Sequence, residues 1–154
     1  MYELILLLHS YLRWIVLALA LLSFATAATG WLGQRTWRAS DEQRHQGFIM
    51  ALNLQFVLGL VLYAVLSPTT QEVFSDFSGA MENRVLRFWG VEHTTMMFLA
   101  VFSAHAGKAV SARRKGIDRH MPMAIGLIVF AIFLFAGFPW PGAEHGRPFF
   151  RGLP

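Results

Sequence analysis

Residues 123–138 read MAIGLIVFAIFLFAGF, a stretch without a single charged side chain. A helix that crosses a bilayer needs about 20 mainly apolar residues, and this run with its flanks approaches that length. The run stops at Pro139-Trp140-Pro141, where proline ends the helix and tryptophan suits a membrane interface. The stretch therefore predicts a membrane-spanning helix.

Three further apolar runs precede this one, at about 4–32, 48–66 and 86–109. The chain is 55% hydrophobic and only 14% charged, whereas a soluble domain carries about a quarter charged residues. Four runs joined by short connections predict an all-α fold, a four-helix transmembrane bundle with up-down topology. We expect residues 1–154 to form a single four-span membrane domain in contact with the lipid bilayer.

Basic residues collect in the first and third connections between the runs. The first connection carries Arg35, Arg38 and Arg44, and the third carries Lys108, Arg113, Arg114, Lys115 and Arg119. Cytoplasmic loops are enriched in Lys and Arg, so both connections are predicted inside and both termini outside. Topology thus accounts for the net charge of +4, and nucleic-acid binding is rejected.

Ionisable side chains inside a membrane are costly and usually functional. The sequence offers six candidates for a cofactor site, which are His9, Arg13, Glu92, His93, His105 and His120. His9 and His93 fall towards the outer surface on different helices, and His105 and His120 flank the inner loop. Haem iron takes axial imidazoles from opposite faces, so either pair could hold a haem b.

The spacing on the third run favours the outer pair. His93 and His105 are 12 residues apart, a net rotation of about 120° on a helix, which places them on different faces. One haem is therefore expected between His9 and His93, the predicted metal ligands. A second haem at His105 and His120 stays open.

Simpler interpretations stand beside these. The histidines could simply form hydrogen bonds with neighbouring helices and bind no cofactor. Arg13 and Glu92 could form an interhelical ion pair. In a functional role, Arg13 and Glu92 would hydrogen-bond to a haem propionate or a quinone, or would relay protons. His9, Glu92 and His93 could also hold a metal without haem. His45 and His145 are interpreted as solvated residues of a polar loop and the tail.

Several short segments resemble small four-helix bacterial membrane proteins described as cytochrome b-like. They are His9-Ser10-Tyr11-Leu12-Arg13-Trp14, Val91-Glu92-His93, His105-Ala106-Gly107-Lys108, Pro139-Trp140-Pro141 and Gly146-Arg147-Pro148. The resemblance implies haem-b or quinone-linked electron transfer in the bacterial cytoplasmic (inner) membrane, with His9, His93 and His105 as the matching positions.

The sequence thus favours a small membrane b-type cytochrome that exchanges electrons with a quinone or a redox protein. A non-catalytic accessory subunit of a larger membrane complex is the alternative. A small transporter or proton-conducting protein ranks third, because no paired broken helices are evident.

Overall fold

A computed structural model describes residues 1–150 and 152 of the chain. These residues form helices and turns without any β-strand. The α-helices are α1 (Tyr2–Leu32), α2 (Ala39–Val61), α3 (Pro68–Ser75), α4 (Phe77–Glu82), α5 (Arg84–Arg87), α6 (His93–Ala112) and α7 (His120–Ala136).

Two π-helical turns and one 3₁₀ turn extend the long helices. The π turn Leu62–Leu66 continues α2, the π turn Phe88–Glu92 joins α5 to α6, and the 3₁₀ turn Gly116–Arg119 leads into α7. Such π turns are rare and occur frequently at functional sites. Both lie near one end of the molecule, where the Tyr63 hydroxyl donates a 2.9 Å hydrogen bond to the Gly90 carbonyl.

Three helical segments are long and apolar enough to cross a membrane, namely Tyr2–Leu32, Ala39–Leu66 and Gly116–Ala136. Helix α6 is not among these three segments. It is the helix that carries His93, Thr94, Thr95, His105 and Lys108, so its polar content explains the difference.

The second long helix begins at Ala39, well before the predicted residue 48. The buried Asp41 carboxylate accepts a 2.9 Å hydrogen bond from the Arg38 N–H, which satisfies a donor at the start of the helix. Acidic side chains are also favourable in a first helical turn. The polar segment after Arg38 is therefore helical, and the prediction of a loop there was wrong.

The four long helices contact one another in a ring. Helix α1 packs against α2 and α7, and α6 packs against α7 and α2. Phe48 of α2 and Phe130 of α7 meet edge to face in the core, with ring centroids 5.3 Å apart. Helices α6 and α7 cross closely, because a Cβ on Gly107 would lie only 2.8 Å from the Gly126 Cα.

The two basic connections lie at the same end of the ring. Arg119 forms a 2.6 Å ion pair with Glu42, and the backbone N–H of Trp37 donates a hydrogen bond to the Gly116 carbonyl at 3.4 Å. Helices α3, α4 and α5 and residues 137–150 therefore belong to the opposite end. That opposite end holds the candidate site.

Candidate cofactor site

A mainly apolar cavity lies between α1, α2 and α6 at the end away from the basic connections. His9 of α1 and His93 of α6 both line it. Helix α2 contributes Gln55 and Gly59, while Phe130 of α7 closes the inner side. The structure thus brings together, in one cavity, the two histidines predicted to be axial ligands.

The imidazole of His93 is fixed by a backbone carbonyl. Its Nδ1 lies 2.8 Å from the oxygen of Gly137, the residue that caps the end of α7. Carbonyls in the last turn of a helix have no partner within the helix, so this oxygen is free to accept. Since a carbonyl only accepts, Nδ1 carries the proton and Nε2 keeps its lone pair. Histidines that bind metal are commonly oriented by such a bond from the other ring nitrogen.

His9 lies against α2. The Gln55 side-chain nitrogen donates to the His9 carbonyl at 3.0 Å and lies 3.3 Å from His9 Nε2. The His9 Nδ1 atom is buried and has no hydrogen-bond partner among the described residues. A Cβ on Gly59 would lie 3.1 Å from His9 Cε1, so the absence of a side chain at Gly59 makes room for the His9 ring.

The predicted ion pair between Arg13 and Glu92 is not formed. Glu92 is half exposed and pairs with Arg87 at 2.8 Å. The Arg13 guanidinium donates instead to the carbonyls of Pro148 and Phe149, at 3.1 and 2.5 Å. Arg13 still lines the cavity with His9, so it belongs to the site, whereas Glu92 is directed elsewhere.

Residues 137–150, which follow α7, fold back over the cavity. The Trp14 indole N–H donates to the Phe149 carbonyl at 3.1 Å, and the Arg147 N–H donates to the Pro139 carbonyl at 3.2 Å. The Arg147 guanidinium lies 5.1 Å from the centre of the Trp89 ring and lines the cavity. Within residues 1–150 and 152, Arg147 has no carboxylate in ion-pair range.

His145, predicted to be solvated, stacks on Phe88 with ring centroids 3.6 Å apart.

The predicted inner pair, His105 and His120, makes separate contacts. His105 is exposed, and its Nε2 lies 2.8 Å from the Asn53 side-chain oxygen. His120 is fully buried against Gly30 of α1, with its ring centroid 4.9 Å from that of Trp37. His105 and His120 therefore lie in different surroundings, one exposed beside Asn53 and the other buried against α1 and Trp37. The second haem stays a prediction.

The small residues near His105 serve helix packing. Gly107 makes the close crossing with Gly126, and Ala104 is completely buried in the core. Small residues could in principle let a flat macrocycle approach the backbone. The contacts with α7 occupy that space instead.

His45 was misread in the sequence as a solvated loop residue. It is only 1% exposed, hydrogen-bonds with the Ser23 hydroxyl through Nδ1, and stacks on Trp37. Next to it, Asp41 forms a two-pronged ion pair with Arg35, at 2.8 and 3.0 Å. This hydrogen bonding raises the pKa of Arg35, so the guanidinium stays charged. The run Ser40-Asp41-Glu42 is a helix-start signal that would have placed His45 on α2.

A metal site built from protein ligands alone is not present in the described residues. They contain no group of three or more His, Asp or Glu side chains that could hold a metal ion. The three-ligand alternative of His9, Glu92 and His93 therefore fails. Comparison with known protein families, curated proteins and solved structures gives no match.

Proposed function

We propose that this chain is a small membrane b-type cytochrome, in which His9 and His93 would hold one haem b. It would transfer electrons between a membrane quinone and a redox partner. The observation that carries the proposal is the pair of imidazoles from different helices on one apolar cavity, with His93 oriented through Nδ1. Haem, when bound, would supply the one-electron redox chemistry.

The residues present fit that group in their donor chemistry. His93 offers Nε2, because Nδ1 is committed to the Gly137 carbonyl. His9 Nδ1 is buried without a partner, which is costly unless something binds it, and ligation through Nε2 would displace the Gln55 amide that lies 3.3 Å away. The rest of the wall is largely apolar, a setting that tunes a haem potential.

Two arginines give the cavity a positive outer end. Arg13 and Arg147 both line it, and Arg147 lacks a carboxylate partner among the described residues. Guanidinium groups pair strongly with carboxylates. In this proposal Arg147 would hold a haem propionate, and its contact with Trp89 keeps it in place.

We further propose that the protein is a four-span bundle of the bacterial cytoplasmic membrane. Helix α6 would be the fourth span, with its polar side chains turned to the cofactor and to α2. The ring of helix contacts supports this arrangement. The basic end, with Arg113, Arg114 and Lys115, would face the cytoplasm and the cofactor end the outside.

A visible spectrum of the purified chain tests the proposal. We expect a b-type reduced-minus-oxidised signal that is lost in His9→Ala and in His93→Ala. His105→Ala is the matched control, since His105 is exposed and bonds to Asn53, and it should keep the signal. A colourless protein that co-purifies with larger partners would favour the accessory subunit instead.

A further inference from the structure

A second groove lies on the outside of the molecule, between α6, α7 and the end of α1. Its apolar wall includes Phe102, Met121 and Ile125, all of them well exposed. Its floor is formed where Gly107 and Gly126 bring the two helix backbones together without side chains between them. The groove measures about 700 Å³, within the size range of small-molecule sites.

The groove runs up to the basic end of the molecule. Trp31, Gln34 and Arg114 line that end, and Arg113 and Lys115 flank Arg114 in sequence. Tryptophan at this level is typical of the region of lipid headgroups. An apolar groove that ends in polar and basic groups matches the shape of a phospholipid, an acyl chain with a charged head.

The basic residues at this end divide into two groups. One group, Arg35, Arg44, Lys108 and Arg119, forms ion pairs with Asp41 or Glu42. By contrast, none of Arg113, Arg114 and Lys115 has an acidic partner among residues 1–150 and 152. Among residues 1–150 and 152, Asp118 is the only acid that lines the groove, so the three exposed cations leave an excess of positive charge there.

We propose that this groove binds an anionic phospholipid, with the phosphate at Arg114 and one acyl chain along the floor at Gly107 and Gly126. Basic pockets between membrane helices on the cytoplasmic side are suited to anionic headgroups. A zwitterionic lipid would gain the apolar contact but not the charge complementarity. The proposal rests on the membrane placement above and does not require haem.

Lipid retention by the full chain tests this site. The chain is reconstituted with equal amounts of dioleoyl phosphatidylglycerol and dioleoyl phosphatidylcholine, extracted in mild detergent, and weighed by native mass spectrometry. Because the acyl chains are identical, any preference reports the headgroup. We expect retained phosphatidylglycerol to exceed retained phosphatidylcholine.

Matched variants separate the groove from general surface charge. Arg114→Gln should lower retained phosphatidylglycerol about fivefold, the effect of about 1 kcal/mol per basic residue near the surface. Arg84→Gln removes an exposed charge at the opposite end and should change nothing. Ala106→Phe fills the groove and should lower both lipids. Equal retention of the two lipids by the unmodified chain, or an equal loss in Arg84→Gln, would overturn the proposal.

Discussion

Replacing Asp41 tests how the basic end of the helix ring is held together. The Asp41 side chain is 1% exposed and accepts two hydrogen bonds from Arg35 and one from the Arg38 N–H. Removing one partner of a buried pair costs about 3–5 kcal/mol, and losing a helix-cap acceptor costs about 1 kcal/mol. Arg35 is about one-quarter exposed and can turn towards water, which lowers the cost of breaking the ion pair. We therefore expect Asp41→Ala to lower the free energy of unfolding by about 3 kcal/mol.

The assay is thermal unfolding in detergent, followed by circular dichroism. For a chain of this size, about 3 kcal/mol corresponds to a fall in Tm of about 6–12 °C. Asp118→Ala is the matched control, because Asp118 is exposed and has no ion-pair partner in the described residues. If Asp41→Ala and Asp118→Ala unfold at the same temperature, the inferred role of the buried carboxylate is wrong.

Three other changes address the helix crossing, the π turns and the cavity. Gly107→Leu forces a side chain into the α7 backbone and should lower the free energy of unfolding by about 3 kcal/mol. Gly47→Leu is the control and should not destabilise the fold, because a Cβ on Gly47 would have no neighbouring atom within 4 Å. Tyr63→Phe removes the hydrogen bond to Gly90 and should cost about 1 kcal/mol in the same denaturation assay. Arg147→Gln should lower the haem midpoint potential in a redox titration, because a nearby cation favours the reduced form; an unchanged potential would place Arg147 away from the cofactor.

The helical fold could be predicted from the length of the apolar runs, which can be read directly from the sequence. The runs at 4–32 and 123–138 lie close to α1 and α7, because a bilayer-length apolar stretch has few alternatives to a helix. The start of α2 was harder to predict, since its first turns are polar and depend on the capping contact of Asp41 with Arg38. A search for apolar runs alone cannot detect a helix that begins in polar sequence.

The sequence led to two of the residues that line the cavity. His9 and His93 were chosen for their depth and their helices, and they do line one cavity. The role of Gly137 and the return of Arg147 over Trp89 depend on how the tail folds, which no local pattern reveals. His45 was missed for a different reason, because its burial follows from the helical start of α2 and not from local hydropathy.

The most direct test is the spin state of the purified protein, measured by electron paramagnetic resonance of the oxidised form. Two axial imidazoles make a low-spin haem, so we predict one low-spin haem per chain. Removing either His9 or His93 alone should convert it to a high-spin signal or abolish binding. A low-spin signal of unchanged intensity in both single variants would contradict ligation by this pair.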